Sequence, residues 1–229
     1  MHSTLEIDSV SKSFGERMVL TDIYLKCETG DILGMLGRNG SGKSTLLKIL
    51  FGSIKSDHKF IRIDGVIYDR PYLTPGIISY LPQDNFLLPH LTVKKTVGLY
   101  LPGNVDGFLD DTFISRLYKN KINSLSGGEL RYLEIKLLLN LPSKFVLLDE
   151  PFNGVSPLMI EKLKDMIKFH SATKGIILTD HDYNNVLDVA NKYCLIYDGG
   201  IKVIENKYDL VRWKYLPNNN LESKTNSSP

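Results

Sequence analysis

Cysteine is scarce in this chain, with two in 229 residues, and neither Cys27 nor Cys194 sits at metal-ligand spacing. Both lie in apolar, strand-like segments, which argues against a disulfide framework or a zinc site. Buried, reduced thiols of a cytosolic protein are expected. No apolar run approaches the ~20 residues that a membrane helix requires. The N-terminal stretch Met1-His2-Ser3-Thr4-Leu5-Glu6 has no apolar signal region. Work at a membrane would therefore need a partner to supply the spanning part. A charge excess is missing too, since 28 Lys and Arg stand against 26 Asp and Glu. That balance gives no general electrostatic basis for binding nucleic acid, and no nucleic-acid partner is expected. There are no internal repeats. The length suits one large α/β domain or a core with an embedded subdomain.

What is present is concentrated at residues 37–45, Gly37-Arg38-Asn39-Gly40-Ser41-Gly42-Lys43-Ser44-Thr45. This is the G-x-x-x-x-G-K-[ST] phosphate loop. The apolar Ile32-Leu33-Gly34-Met35-Leu36 before it reads as a buried strand, and Thr45-Leu46-Leu47-Lys48-Ile49-Leu50 after it has helical spacing. Gly37, Gly40 and Gly42 let the backbone bend and turn its N–H groups toward one concave point. The helix that starts near Gly42 adds its positive end. Lys43 is placed to reach β- and γ-phosphates, and the Ser44 hydroxyl to ligate Mg²⁺. A nucleotide triphosphatase is the expected class.

Along the chain, residues 4–27 read as two or three half-buried strands with turns at Phe14-Gly15-Glu16 and Glu28-Thr29-Gly30-Asp31. Residues 59–69 read as a hairpin turning at Asp64-Gly65. Ile77-Ile78-Ser79-Tyr80-Leu81 is a further short strand. Residues 84 to about 141 read as a mainly helical insertion, with pieces near 92–101 and 110–119. Its last helix follows Ser126, with Leu130, Leu133, Leu137 and Leu138 as its apolar face and Pro142 as its stop. Phe145-Val146-Leu147-Leu148 and Gly175-Ile176-Ile177-Leu178-Thr179 are continuous apolar runs, as parallel strands covered on both faces require. A helix from Pro157 to about His170 lies between them, with Ser156 as its N-cap. A short helix is expected over 183–191 and a final hairpin around Asp198-Gly199-Gly200. The polar segment 216–229 reads as a disordered tail. The expected organisation is thus a single domain over 1–215.

Two further stretches carry chemistry. Phe145-Val146-Leu147-Leu148-Asp149-Glu150 is an apolar strand ending in two carboxylates, the form of a Walker B segment. Asp149 would hold Mg²⁺ and Glu150 would polarise an attacking water. Two acids after a strand also fit an ordinary exposed loop. In Leu125-Ser126-Gly127-Gly128-Glu129, a Ser hydroxyl and two glycines at a helix N-terminus make a second anion site, or else a plain helix cap.

This last stretch resembles the signature motif of the ATP-binding cassette (ABC) ATPases, and the resemblance extends from residue 5 to about 205. It implies a P-loop NTPase core with a mixed sheet, an N-terminal antiparallel β subdomain and a small helical ABC-specific insertion. It also implies ATP and Mg²⁺ as ligands. In that family the phosphate loop and the signature of two subunits enclose ATP head to tail, as a homodimer or with a related cassette. Ser126, Gly127, Gly128 and Glu129 would then bind the γ-phosphate held by the other subunit. Phe14 matches the aromatic loop on which adenine stacks. Gln83, in Tyr80-Leu81-Pro82-Gln83, matches the glutamine loop that senses Mg²⁺ and γ-phosphate. His181, in Thr179-Asp180-His181, matches the switch histidine. Lys43, Gln83, Glu150 and His181 are the implied catalytic residues, and Ser44, Gln83 and Asp149 the implied Mg²⁺ ligands. Multi-spanning membrane subunits are the implied partners, with the chain peripheral on the inner face of the cell membrane. Shorter runs, among them Glu134-Ile135 and Pro151-Phe152-Asn153-Gly154-Val155, are similar to the ATPases of lipopolysaccharide export and branched-chain amino acid import.

The chain departs from the family in three places. Ser156 stands where the D-loop usually has Asp, so hydrolysis with weakened or asymmetric coupling between the two sites is expected. Glu129 replaces the commoner Gln. The helical insertion is short. A non-transport ABC ATPase of DNA repair, chromosome maintenance or translation is the alternative, but such relatives usually carry a long coiled coil or two cassettes in one chain. Neither is present. A regulatory subunit without turnover is opposed by the presence of both Lys43 and Glu150.

Overall fold

The computed structural model describes residues 2–103 and 105–217. Strands β1 (Thr4–Phe14) and β2 (Arg17–Glu28) form a long hairpin, so the N-terminal region holds two strands. After β3 (Ile32–Leu36) and helix α1 (Lys43–Phe51), β4 (His58–Ile63) and β5 (Val66–Ile67) complete an antiparallel sheet of order β2-β1-β4-β5. The turn between β4 and β5 has Asp64 at φ 50° and Gly65 at φ 82°. Two successive left-handed residues match the right-handed twist of a two-residue hairpin.

The second sheet brings together β6 (Ile78–Leu81), β7 (Phe145–Asp149), β8 (Gly175–Thr179), β9 (Lys192–Tyr197) and β10 (Gly200–Ile204) with β3. Its order is β10-β9-β3-β8-β7-β6, with β10 alone antiparallel to its neighbour. The continuous apolar runs follow from two-sided burial. Leu33, Met35, Phe145, Leu147, Ile177, Cys194 and Ile196 join one core with α1 and the antiparallel sheet. Ile32, Leu36, Val146, Leu148, Ile176, Leu178 and Leu195 join the other core, with the remaining helices. Alternate residues thus serve opposite cores, as the two-residue repeat of a strand demands. Cys27 and Cys194 are buried free thiols. Burial pushes both pKa values up, that of Cys194 to about 12, which keeps them protonated and inert.

The helical segment comprises α2 (Val93–Tyr100), α3 (Val105–Leu109), α4 (Thr112–Leu117) and α5 (Gly127–Asn140). It shares one apolar cluster with the mixed sheet. The expected apolar stripe on α5 understates its burial. Leu130 is only half-buried, while Arg131, Tyr132, Glu134, Ile135 and Leu139 are buried along with Leu133, Leu137 and Leu138. The helix is enclosed because β6, β7 and α6 (Pro157–Ser171) pack against it. Asp111 binds it from another side by accepting from Tyr132 and Lys136, at 2.8 Å each.

Three local expectations change. Ser156 holds the N-cap position of α6, but its hydroxyl makes no capping bond. Only its carbonyl engages the helix, accepting from Met159 and Ile160. After α7 (Tyr183–Val189), a further helix α8 (Lys207–Arg212) appears, capped by the reciprocal pair Asn206 and Asp209. Leu216, expected at the start of the polar tail, is buried and its N–H bonds to the Leu210 carbonyl. Residues 218–229 of that expected tail lie outside the described residues.

Candidate nucleotide site

The phosphate loop leaves β3, all five residues of which are buried, and enters α1 at Lys43. Gly42 has φ 105°, and a Cβ there would come within 2.8 Å of Leu20. Both the conformation and the space therefore require glycine. At Gly37 the cause is close approach, because a Cβ would lie 2.5 Å from Ser41 Oγ. Lys43 Nζ folds back over the loop and donates to the carbonyls of Gly37 (2.6 Å) and Arg38 (3.2 Å). Burial pulls its pKa down, against the nearby carboxylates of Glu150, Asp149 and Asp180. Ser41 Oγ is buried with no partner among the described residues. An orphaned hydroxyl here fits a phosphate oxygen that would satisfy it.

Next to the loop, four polar side chains join in series. Ser44 Oγ donates to Asp149 Oδ1 at 2.9 Å. Gln83 Nε2 donates to Ser44 Oγ at 3.1 Å and to Glu150 Oε1 at 3.0 Å. Tyr80 and Thr179 hydroxyls also donate to Asp149, at 3.0 and 3.1 Å. Burial, with Asp149 beside it, pushes the Tyr80 pKa up, so the phenol stays a donor. The expected Mg²⁺ ligands Ser44, Gln83 and Asp149 thus meet. No cluster of three or more His, Cys, Asp or Glu suited to a metal occurs among the described residues. One carboxylate and a hydroxyl fit a Mg²⁺ that takes its remaining ligands from phosphates and water.

A cleft of about 410 Å³ is lined by Asn39, Gly40, Ser41, Gly42, Lys43, Ser44 and Thr45, with Gln83, Glu150, Phe14, Arg17 and Val19. Phe14 is half exposed, and Lys12 Nζ lies 4.9 Å from its ring centroid. A base could therefore stack on the ring face that Lys12 leaves open. Arg17 and Tyr80 were not singled out as site residues from the sequence. Arg17 could have been found from its place three residues beyond Phe14, across a turn that aims both at the loop.

His181 is not in this cleft. It lines a neighbouring one of about 510 Å³ with Gly37, Arg38, Asn39, Tyr183, Tyr215, Leu216 and Pro217. It pairs with the fully buried Asp180 at 3.3 Å. Ser126, Gly127, Gly128 and Glu129 are also apart from the nucleotide cleft. Ser126 caps α5, and with Glu129 it forms a closed pair. Its N–H and Oγ both donate to Glu129 Oε2, at 2.7 and 2.8 Å. The Glu129 N–H returns a bond to Ser126 Oγ at 3.3 Å.

A family profile described as ABC transporter matches residues 20–153. The lipopolysaccharide export system ATP-binding protein LptB of Haemophilus influenzae is 31% identical over 87% of this chain and 89% of its own length. A probable sulfate/thiosulfate import ATP-binding protein CysA of Chlorella vulgaris is 30% identical, covering 89% of this chain and 92% of its own. Among solved structures, an ATP-binding subunit of an ABC transporter superposes with a TM-score of 0.80 at 24% identity, over 93% of both chains.

Proposed function

Since this chain belongs to the ABC transporter family, we propose that it is the ATP-hydrolysing motor subunit of a transporter. Two copies, or this chain and a related cassette, pair head to tail. Each ATP lies between the phosphate loop of one subunit and the Ser126 helix of the other. Membrane-spanning subunits are the partners, and they recruit the chain to the inner face of the cell membrane. No helix among the described residues is long and apolar enough to cross a membrane itself.

The observation that carries this reading is the bonded series Ser44–Asp149 and Ser44–Gln83–Glu150, in which Ser44, Gln83 and Glu150 line the phosphate-loop cleft and Asp149 is buried behind it. It supports the reading because the groups proposed as metal ligands, sensor and base share one hydrogen-bond network. Lys43 moves its ammonium from the Gly37 and Arg38 carbonyls to the phosphates, where its charge opposes the developing negative charge. Ser44 and Asp149 would hold Mg²⁺, which would supply positive charge against the phosphate oxygens. Glu150 orients and polarises the attacking water, and Gln83 reports the γ-phosphate by exchanging its bonds to Ser44 and Glu150. Phe14 stacks the adenine. His181 approaches the γ-phosphate from the far side of the Gly37–Asn39 turn once the subunits close.

The test is Glu150→Gln. Turnover is expected to fall by about 10²–10⁴-fold, while ATP still binds and an ATP-loaded dimer accumulates in size-exclusion chromatography. Equal phosphate release by both proteins would overturn the assignment.

A further inference from the structure

Helix α5 carries a buried ion pair that the site described so far does not use. Arg131 is 4% exposed and Glu134 fully buried. The guanidinium does not mainly face its counter-charge, since the Nη1 to Glu134 Oε2 distance is 3.5 Å. Its short bonds go to backbone carbonyls. Nη1 donates to Pro82 O at 2.7 Å, and Nη2 donates to Asp149 O at 2.7 Å and Glu150 O at 3.0 Å. Glu134 Oε1 accepts from the Phe86 N–H at 2.9 Å. The pair therefore grips both ends of the loop that bears Gln83, through Pro82 and Phe86, and also the peptides on either side of Glu150.

Glu150 needs such a grip. It has φ 50°, a left-handed conformation that side-chain-bearing residues adopt at a cost. Its N–H is fixed by the Thr179 carbonyl at 3.0 Å, and its carbonyl by Arg131. The planar fork of Arg131 serves Pro82 through one nitrogen and the Asp149–Glu150 pair through the other.

From these contacts we infer that Arg131, neutralised by Glu134, is the positioning residue for Glu150 and for the Gln83 loop. It holds the catalytic carboxylate in its strained conformation and ties it to the helix that Ser126 begins. This inference rests on the ATPase reading. If the pair served only to fill the core, an apolar pair of similar volume would replace it without loss of turnover, as buried ion pairs often allow.

The experiment compares Arg131→Lys and the double variant Arg131→Met, Glu134→Leu with the wild-type chain. It records thermal midpoint, ATP-binding stoichiometry, Kd and kcat. Arg131→Lys keeps the charge but loses the fork. Its kcat is expected to fall about 10–100-fold, as for a base displaced by an ångström or less, with stoichiometry intact and Kd within about threefold. The double variant is expected to recover the thermal midpoint and not the kcat. Wild-type kcat in either folded variant overturns the inference. So does a kcat loss that merely follows a reduced binding stoichiometry. If the double variant does not fold, Arg131→Lys decides alone on the same criteria. Glu150→Gln serves as the control: if the wild type releases no more phosphate than Glu150→Gln, the ATPase reading itself has failed. If that control behaves as expected and Arg131→Lys matches the wild type, only the inference about Arg131 has failed.

Discussion

On the phosphate-loop side of the molecule, polar groups from four segments meet, and an apolar ring joins them. Ser44 comes from α1, Tyr80 and Gln83 from the end of β6, Asp149 and Glu150 from the end of β7, and Thr179 from β8, while Phe14 from β1 supplies the ring. On the Ser126 side, one short stretch supplies everything, and its groups bond each other: Ser126 with Glu129, three residues apart. The first side is preorganised by strand burial and long-range bonds. The second is a local cap whose hydroxyl and N–H are already engaged with a carboxylate. On the proposed head-to-tail arrangement, rigidity falls on the side of the expected metal ligands, and the exchangeable contacts on the side that would meet and release another subunit.

The largest test of this contrast is Gly128→Asp. A Cβ at Gly128 would lie 3.5 Å from Gly154 O and 3.7 Å from Val155 Cα, ordinary contact that the fold tolerates. A carboxylate at this helix start repels phosphate. We expect kcat to fall by about 10²–10³-fold, the effect of losing an anion-stabilising group, with ATP affinity of the isolated subunit unchanged. Weakened binding by the isolated subunit would mean that both halves act within one chain.

Asp111→Ala probes how the Ser126 side is anchored. Asp111 caps α4, accepting from Phe113 (2.8 Å) and Ile114 (3.2 Å), and clasps Tyr132 and Lys136 on α5. Losing a cap and a charge-assisted bond should cost about 2 kcal/mol in urea unfolding at neutral pH. Burial pushes the Asp111 pKa up, but the Lys136 and Tyr132 donors outweigh it and hold it below the usual value. A carboxylate depressed in the folded state stabilises above its unfolded pKa and loses that contribution as pH falls through its folded pKa. The gap between wild type and Asp111→Ala should therefore close in acid. A pH-independent gap would assign the loss to packing alone.

Glu129→Gln retains an acceptor and removes the charge from the start of α5. A loss of about 0.3–1 kcal/mol is expected from the helix dipole, read as a small fall in thermal midpoint. A loss as large as that of Asp111→Ala would make the Ser126 cap as firmly built as the phosphate side. An effect of similar size and opposite sign is expected at Ser156→Asp. Because the Ser156 hydroxyl makes no capping bond, the carboxylate should gain about 0.5–1 kcal/mol as a cap. On our reading of weakened coupling, it should also raise the cooperativity of ATP hydrolysis. An unchanged Hill coefficient would remove the coupling argument.

The same contrast explains what could be read from the sequence. Gly37 to Thr45 is contiguous, and Gly42, Lys43 and Ser44 take their roles from spacing alone. The two-sided burial of Phe145-Val146-Leu147-Leu148 was evident because both residue parities are apolar. Asn206 and Asp209, by contrast, form a short-range capping pattern that is legible in the sequence and marks the start of α8, the helix that holds Leu216. Arg131 is of another kind. Its partners are the carbonyls of Pro82, Asp149 and Glu150, and a carbonyl has no residue identity. Nothing in the residue types at 82 or 149 signals that a guanidinium 49 or 18 positions away will bind there. The left-handed conformation of Glu150 is hidden for the same reason, since it is imposed by neighbours and not by its own preference.

Strand β7 is hydrogen-bonded along both edges, to β6 and β8, and buried on both faces. Its amide hydrogens can reach solvent deuterons only when much of the sheet comes apart, on the slow clock of global unfolding. The first turn of α5 is partly exposed and closed by its own cap, so its amides are expected to exchange on the fast clock of helix fraying. Deuterium uptake would divide the two halves of the proposed site into an almost silent peptide around Asp149 and a rapidly labelled one around Ser126. Only the second has room to slow down when a nucleotide on another subunit arrives.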